Sequence, residues 1–220
     1  MGGLFDPESG FSSFMGKVGD LIIISFFGSL LSVTVLLACP AWAAVYYASV
    51  KSIRSEYGTA RKEFFHSFRT NLRQGFFLNI VFLLYLAATF ICLTFSNSLD
   101  PEQGLSIIYW IMARMLILPL LLTLPWIFPL LSRFTMKNTV LIRTAFYISV
   151  RHWVTTAVLV VLYGVSLLII FVMPVLALIL PGAAALAASF LTERVFVRYV
   201  DSEEREKRGN WELPKEQKAD

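Results

Sequence analysis

Long apolar runs, set apart by short polar or basic stretches, dominate the pattern along the chain. Residues 21–50 carry no charge and are interrupted only by Pro40. At ~1.5 Å of rise per residue such a run reaches ~45 Å, against a hydrocarbon core of ~30 Å. It therefore supplies one span, near residues 21–41, with a kink or break at Pro40 and with Trp42, Tyr46 and Tyr47 as an interfacial aromatic cluster. A second uncharged run, 76–95, ends in the polar turn 96–101. The third, 105–131, is apolar except for Arg114 and carries Pro119, Pro125 and Pro129, which predicts a kinked span. Residues 153–190 are again free of charge and hold Pro174, Pro181 and Gly182, so two closely joined spans are expected, near 153–173 and 182–199, with the turn between Met173 and Pro181. Unbroken apolar runs, rather than short alternating segments, favour spanning helices over a barrel.

Between these runs lie amphipathic stretches. Phe64, Phe65, Phe68, Leu72 and Phe76 recur at helical spacing while Arg61, Lys62, Arg69 and Arg73 fall on other faces, the pattern of a helix on a membrane surface. The segment 146–151 resembles 64–69, and Pro125-Trp126 loosely echoes Pro40 and Trp42. Two parallel copies would give this pattern, and so would any amphipathic helix feeding a span. The expected fold is all-α: a polytopic bundle of about five transmembrane helices over residues 1–199 with amphipathic cytoplasmic segments, then a charged cytoplasmic tail, 200–220.

Composition agrees. Hydrophobic residues make up 57% and charged residues 15%, and mean hydropathy is +0.68; a soluble domain would carry roughly 25% charge. The basic residues set an orientation. Lys51, Arg54, Arg61, Lys62, Arg69 and Arg73 cluster after the first span, Arg133, Lys137, Arg143 and Arg151 after the third, and Arg194, Arg198, Arg205, Lys207, Arg208, Lys215 and Lys218 after the fifth. The other connections hold Lys17 against Asp6, Glu8 and Asp20, and Asp100 with Glu102. Basic loops stay cytoplasmic, which places the N-terminus outside and the C-terminus inside. The net charge of +4 is matched by anionic lipid at the cytoplasmic leaflet, with no nucleic acid required.

Arg114 is the leading single residue. Counted from Leu105 it lies ~13 Å into its span, where an ionised side chain costs about 2.5–3.5 kcal/mol unless it finds a partner or water. It would pair with Asp20 or meet an anionic solute; alternatively span three begins at Met115 and Arg114 snorkels to the interface. Asp20 caps its helix or pairs with Lys17 or Arg114. Cys39 and Cys92 fall one to a span, which offers neither a disulfide framework nor a metal site. Residues 36–39 mimic a lipobox, but the acidic segment before them and Pro40 after them oppose cleavage. His66 and His152 have no second ligand at metal spacing. No hydrolase, phosphate-binding or paired intramembrane carboxylate motif is present, so no enzyme activity, metal or cofactor is expected.

The opening residues Met1-Gly2-Gly3-Leu4-Phe5-Asp6-Pro7-Glu8-Ser9, Gly19-Asp20-Leu21, Ala44-Val45-Tyr46-Tyr47 with Lys51, Phe64-Phe65-His66-Ser67-Phe68-Arg69 with Asn71 and Gln74, Phe128-Pro129-Leu130-Leu131-Ser132-Arg133-Phe134 and Lys137-Asn138 together resemble the YesL-like family, uncharacterised small multi-pass membrane proteins of Gram-positive bacteria. The resemblance covers about residues 1–195. One departure is Leu37-Ala38-Cys39, where that family tends to carry Thr-x-Gly. The resemblance implies a bacterial plasma-membrane protein with an accessory or regulatory role beside a carbohydrate uptake system, contacting its permease or ATPase. Arg61, Lys62, Arg69 and Arg73 are the expected partner or lipid contacts. The alternative is a small self-contained transporter or channel built from two parallel repeats.

Overall fold

The computed structural model describes residues 10–54, 59–98 and 104–199. The opening motif 1–9, Asp100 and Glu102, and the charged tail 200–220 lie outside the described residues. The order is α1 (Gly10–Ser32), α2 (Ala38–Ala48) running into a π-helical turn (Ser49–Arg54), α3 (Ala60–Ser98), α4 (Gly104–Met115), α5 (Ile117–Arg133), α6 (Asn138–Arg151), α7 (Trp153–Val172), a 3-10 turn (Pro174–Leu178) and α8 (Leu180–Phe196). Among the described residues there is no strand, and the all-α bundle is the fold.

The first apolar run breaks earlier than Pro40. Helix α1 ends at Ser32, whose hydroxyl donates back to the Gly28 carbonyl at 2.7 Å. The β-branched Val33-Thr34-Val35 follows, with Val35 at φ 34°, a conformation costly for a branched side chain. The Asn79 amide donates to the Val35 carbonyl at 2.7 Å and steadies the break. Pro40 instead sits in the first turn of α2, where its missing N–H has no intrahelical acceptor to lose. Its ring lies against Gly75 of α3, so closely that a Cβ there would meet ring carbons at 2.9 Å.

Helix α3 joins the amphipathic stretch and the second span, which the sequence suggested as separate elements, into one helix of 39 residues. Between Ala60 and Ser98 it contains no proline and one glycine, so nothing interrupts the ladder. The third span is divided at Leu116. Pro119 cannot donate to the Met115 carbonyl, where α4 ends, and the Tyr85 hydroxyl donates to the neighbouring Leu116 carbonyl at 2.7 Å.

Four stretches among the described residues are long and apolar enough to cross a membrane: Met15–Ser32, Ala60–Ser98, Ser106–Arg133 and Trp153–Val172. The expected fifth, α8, has 17 residues and reaches ~25 Å, short of the ~30 Å hydrocarbon core. Its Ala184, Ala185, Ala188 and Ser189 are buried in the bundle, and such small residues let helix backbones approach closely. Two cores result, one around Trp126, Leu141, Leu159 and Phe196 on α5 to α8, the other around Ile24, Val45, Tyr46 and Phe64 on α1 to α3.

Candidate functional site

The basic residues of α3 are exposed: Arg61, Lys62, Arg69 and Arg73. At 100° per residue, Lys62, Arg69 and Arg73 fall within roughly 40° of one another, on the face opposite the buried Ala60, Phe64 and Ser67. Arg61 stands on the shoulder of this stripe. The helix is held by ring contacts of Phe64 with Phe27, Phe65 and Phe68 and by an ion pair from Glu63 to Lys51 at 2.8 Å. Lys51 also donates to the Tyr47 hydroxyl at 3.2 Å. Burial works against the Lys51 charge, but its hydrogen bonds to Glu63 and Tyr47 outweigh it and hold the ammonium above its ordinary pKa.

Arg114 turns back on its own helix. Its guanidinium stacks on the Trp110 ring at 3.6 Å and donates to the Trp110 carbonyl at 3.2 Å. No ion pair joins it to Asp20 among the described residues; Asp20 is half-buried on α1.

The structure brings together a set of polar residues that the sequence did not single out. Arg133 at the end of α5 donates to Glu193 of α8 at 2.6 Å, with 4% and 2% of the two side chains exposed. The Tyr46 hydroxyl of α2 donates to the other carboxylate oxygen at 2.9 Å and lies 2.6 Å from the Thr192 hydroxyl. Tyr46 is thus fully buried, not part of an interfacial aromatic belt, and Trp42 packs at 6.2 Å from Phe128. Arg133 and Glu193 stand 60 residues apart, so no local spacing announces the pair. The available signal was a lone carboxylate just past the apolar run 153–190, a group that must find a cation once buried. With both oxygens engaged, the carboxylate ties three helices together and is poorly placed to accept a substrate proton. Nearby, Arg54 donates to the Ser189 carbonyl at 2.8 Å and stacks on Phe190.

Two clefts open between the helices. One, of about 280 Å³, lies between α5 and α7 and is lined by Trp42, Leu124, Phe128, Tyr163 and Leu167 among others. The other, of about 360 Å³, lies between α3, α5 and α6, with Arg143 at its rim. Linings of this kind suit hydrocarbon better than a sugar. No group of three or more His, Cys, Asp or Glu that could hold a metal occurs among the described residues. Cys39 is buried and Cys92 exposed, both as thiols.

Residues 21–93 match the model of a family described as a protein of unknown function, DUF624. The match takes in the second half of α1, the break, α2, the π-helical turn and most of α3. Neither the curated proteins nor the solved structures contain a match to the chain.

Proposed function

We propose that this membrane protein is a non-enzymatic accessory subunit of the YesL-like kind, docking on the permease or ATPase of a carbohydrate uptake system in a bacterial plasma membrane. The observation that carries the reading is the exposed stripe of Lys62, Arg69 and Arg73, with Arg61 at its edge, on a helix that continues without interruption into a span. A cationic face rigidly joined to a membrane helix is suited to a partner, or to anionic headgroups, at the bilayer surface.

In this reading the N-terminus is outside and the C-terminus cytoplasmic. Contacts among the basic segments support it: Gln74 donates to the Met136 carbonyl at 2.6 Å, Arg133 pairs with Glu193, and His152 at the start of α7 lies 3.1 Å from the Tyr199 hydroxyl just after α8. The last contact brings the end of α8 to the level at which α7 began.

The test is purification of the tagged full chain from native membranes in mild detergent, with identification of co-purifying proteins. We expect an uptake permease or its ATPase with the wild type, and its loss from the R61E/K62E/R69E/R73E variant while insertion and melting temperature are kept. Association unchanged by the reversal would refute docking through this stripe.

A further inference from the structure

We propose that the cleft between α3, α5 and α6 is a site for a single anionic phospholipid, with an acyl chain lying between Phe82 and Leu120 and the phosphate on Arg143. This inference is independent of the docking reading and requires only that α3 and α5 lie in a bilayer.

The cleft, about 360 Å³, is walled by Val81, Phe82, Leu120, Ile142 and Phe146. Its two hydroxyls are already committed, Tyr85 to the Leu116 carbonyl and Thr123 to the Pro119 carbonyl, so the wall presents hydrocarbon to whatever enters. Arg143 stands at the rim, exposed, and makes no hydrogen bond or ion pair among the described residues. Four other arginines of the bundle are engaged, Arg133 with Glu193, Arg54 with Ser189, Arg114 with Trp110 and Arg151 with the Tyr147 hydroxyl, and of the exposed arginines without such a bond only Arg143 lines this cleft. A guanidinium whose donors are unspent, beside a hydrocarbon wall, matches a phosphate joined to an acyl chain.

Helix α6 gives a second, separate argument. Its exposed face carries Val140, Phe146, Tyr147 and Val150 around Arg143, although its other face is already buried against α5 through Leu141, Ala145 and Ile148. A helix apolar on both faces, with arginines set into the outer one, fits the boundary between headgroups and acyl chains. An anionic lipid suits the single cation better than a zwitterionic one, whose own ammonium competes for the phosphate.

The experiment uses the delipidated full chain in mild detergent, titrated with phosphatidylglycerol or phosphatidylcholine of identical acyl chains and read by native mass spectrometry. One cation near a phosphate corresponds to about a fivefold preference for the anionic lipid. We expect this preference in the wild type and in R194Q, an exposed arginine of α8 outside the cleft lining, and its loss in R143Q, whose melting temperature should be unchanged because the side chain is exposed. Leu120→Trp, which fills the cleft and keeps the charge, should lower occupancy by both lipids, and millimolar glycerol phosphate should not compete. Retention of the wild-type preference in R143Q would overturn the proposal. So would its loss in R194Q, which would show that the preference follows overall charge and not the cleft, or displacement by glycerol phosphate, which would make this a site for a free anion.

Discussion

Helix α3 and the pair α6–α7 are built to the same plan, an amphipathic segment feeding a span, yet one is continuous and the other is hinged. In α3 the ladder runs through the junction, and Thr70 simply donates back to the His66 carbonyl within the helix. In the second region the chain bends at His152, where φ is −114° and ψ 49°. Thr156 explains how the bend is held. Its hydroxyl donates to the carbonyl of Ser149 or His152, each 3.0 Å away, while it accepts the Trp126 indole N–H at 2.9 Å. Similar amphipathic patterns therefore lead to different geometries because one junction has a tertiary partner, Trp126 on α5, and the other has an uninterrupted helix.

The same contrast separates the two ion pairs. Arg133–Glu193 closes the second half in a nearly dry site, whereas Lys51–Glu63, with 23% and 11% of the side chains exposed, remains in partial contact with solvent. Removing one partner of a buried pair costs about 3–5 kcal/mol, and an exposed pair is worth about 1 kcal/mol or less. Glu193→Ala should therefore lower the detergent melting temperature far more than Glu63→Ala; equal losses would erase the distinction. Next in size is the hinge. Thr156→Val leaves the indole N–H without its acceptor and should cost about 1–3 kcal/mol, accompanied by altered Trp126 fluorescence, while Thr70→Val should leave stability nearly unchanged. A comparable loss at both positions would mean that the bend is not held by this contact.

The smallest effects are in pH. Lys51, with its pKa raised above 10.5, contributes stability that is present below that value and lost as pH rises through the folded-state pKa. His152 is lowered from 6.5 by burial and by Arg198 and Arg151, so its contribution is present above pH 6.5 and lost as pH falls below it. Mild acid should thus loosen the hinged region and strong alkali the continuous one. Melting curves of His152→Gln and Glu63→Gln across these ranges should each lose one of the two slopes.

The spanning segments were legible because hydrocarbon tolerates few charges, and runs such as 76–95 and 153–173 have none. The break after Ser32 was concealed inside an apolar run, and the β-branched Val33-Thr34-Val35 was a weaker signal than Pro40, which drew the boundary to the wrong place. The continuity of α3 was obscured by a change from basic to apolar composition, although composition alone does not end a helix. Counting Arg133 only as a loop charge hid its pairing, since no local rule connects it to Glu193. The four basic residues of α3 were visible as a cluster; the structure adds that three form one stripe opposite the buried face.

The break at Val35 also ties an early part of the chain to a later one. Its carbonyl is met by Asn79, 44 residues further along the chain, and a nascent polypeptide emerges from its N-terminus onward. Until α3 has left the ribosome, the junction of α1 and α2 lacks the amide that steadies it. The final shape of the first hydrophobic segment is therefore completed by a contact from the helix that follows.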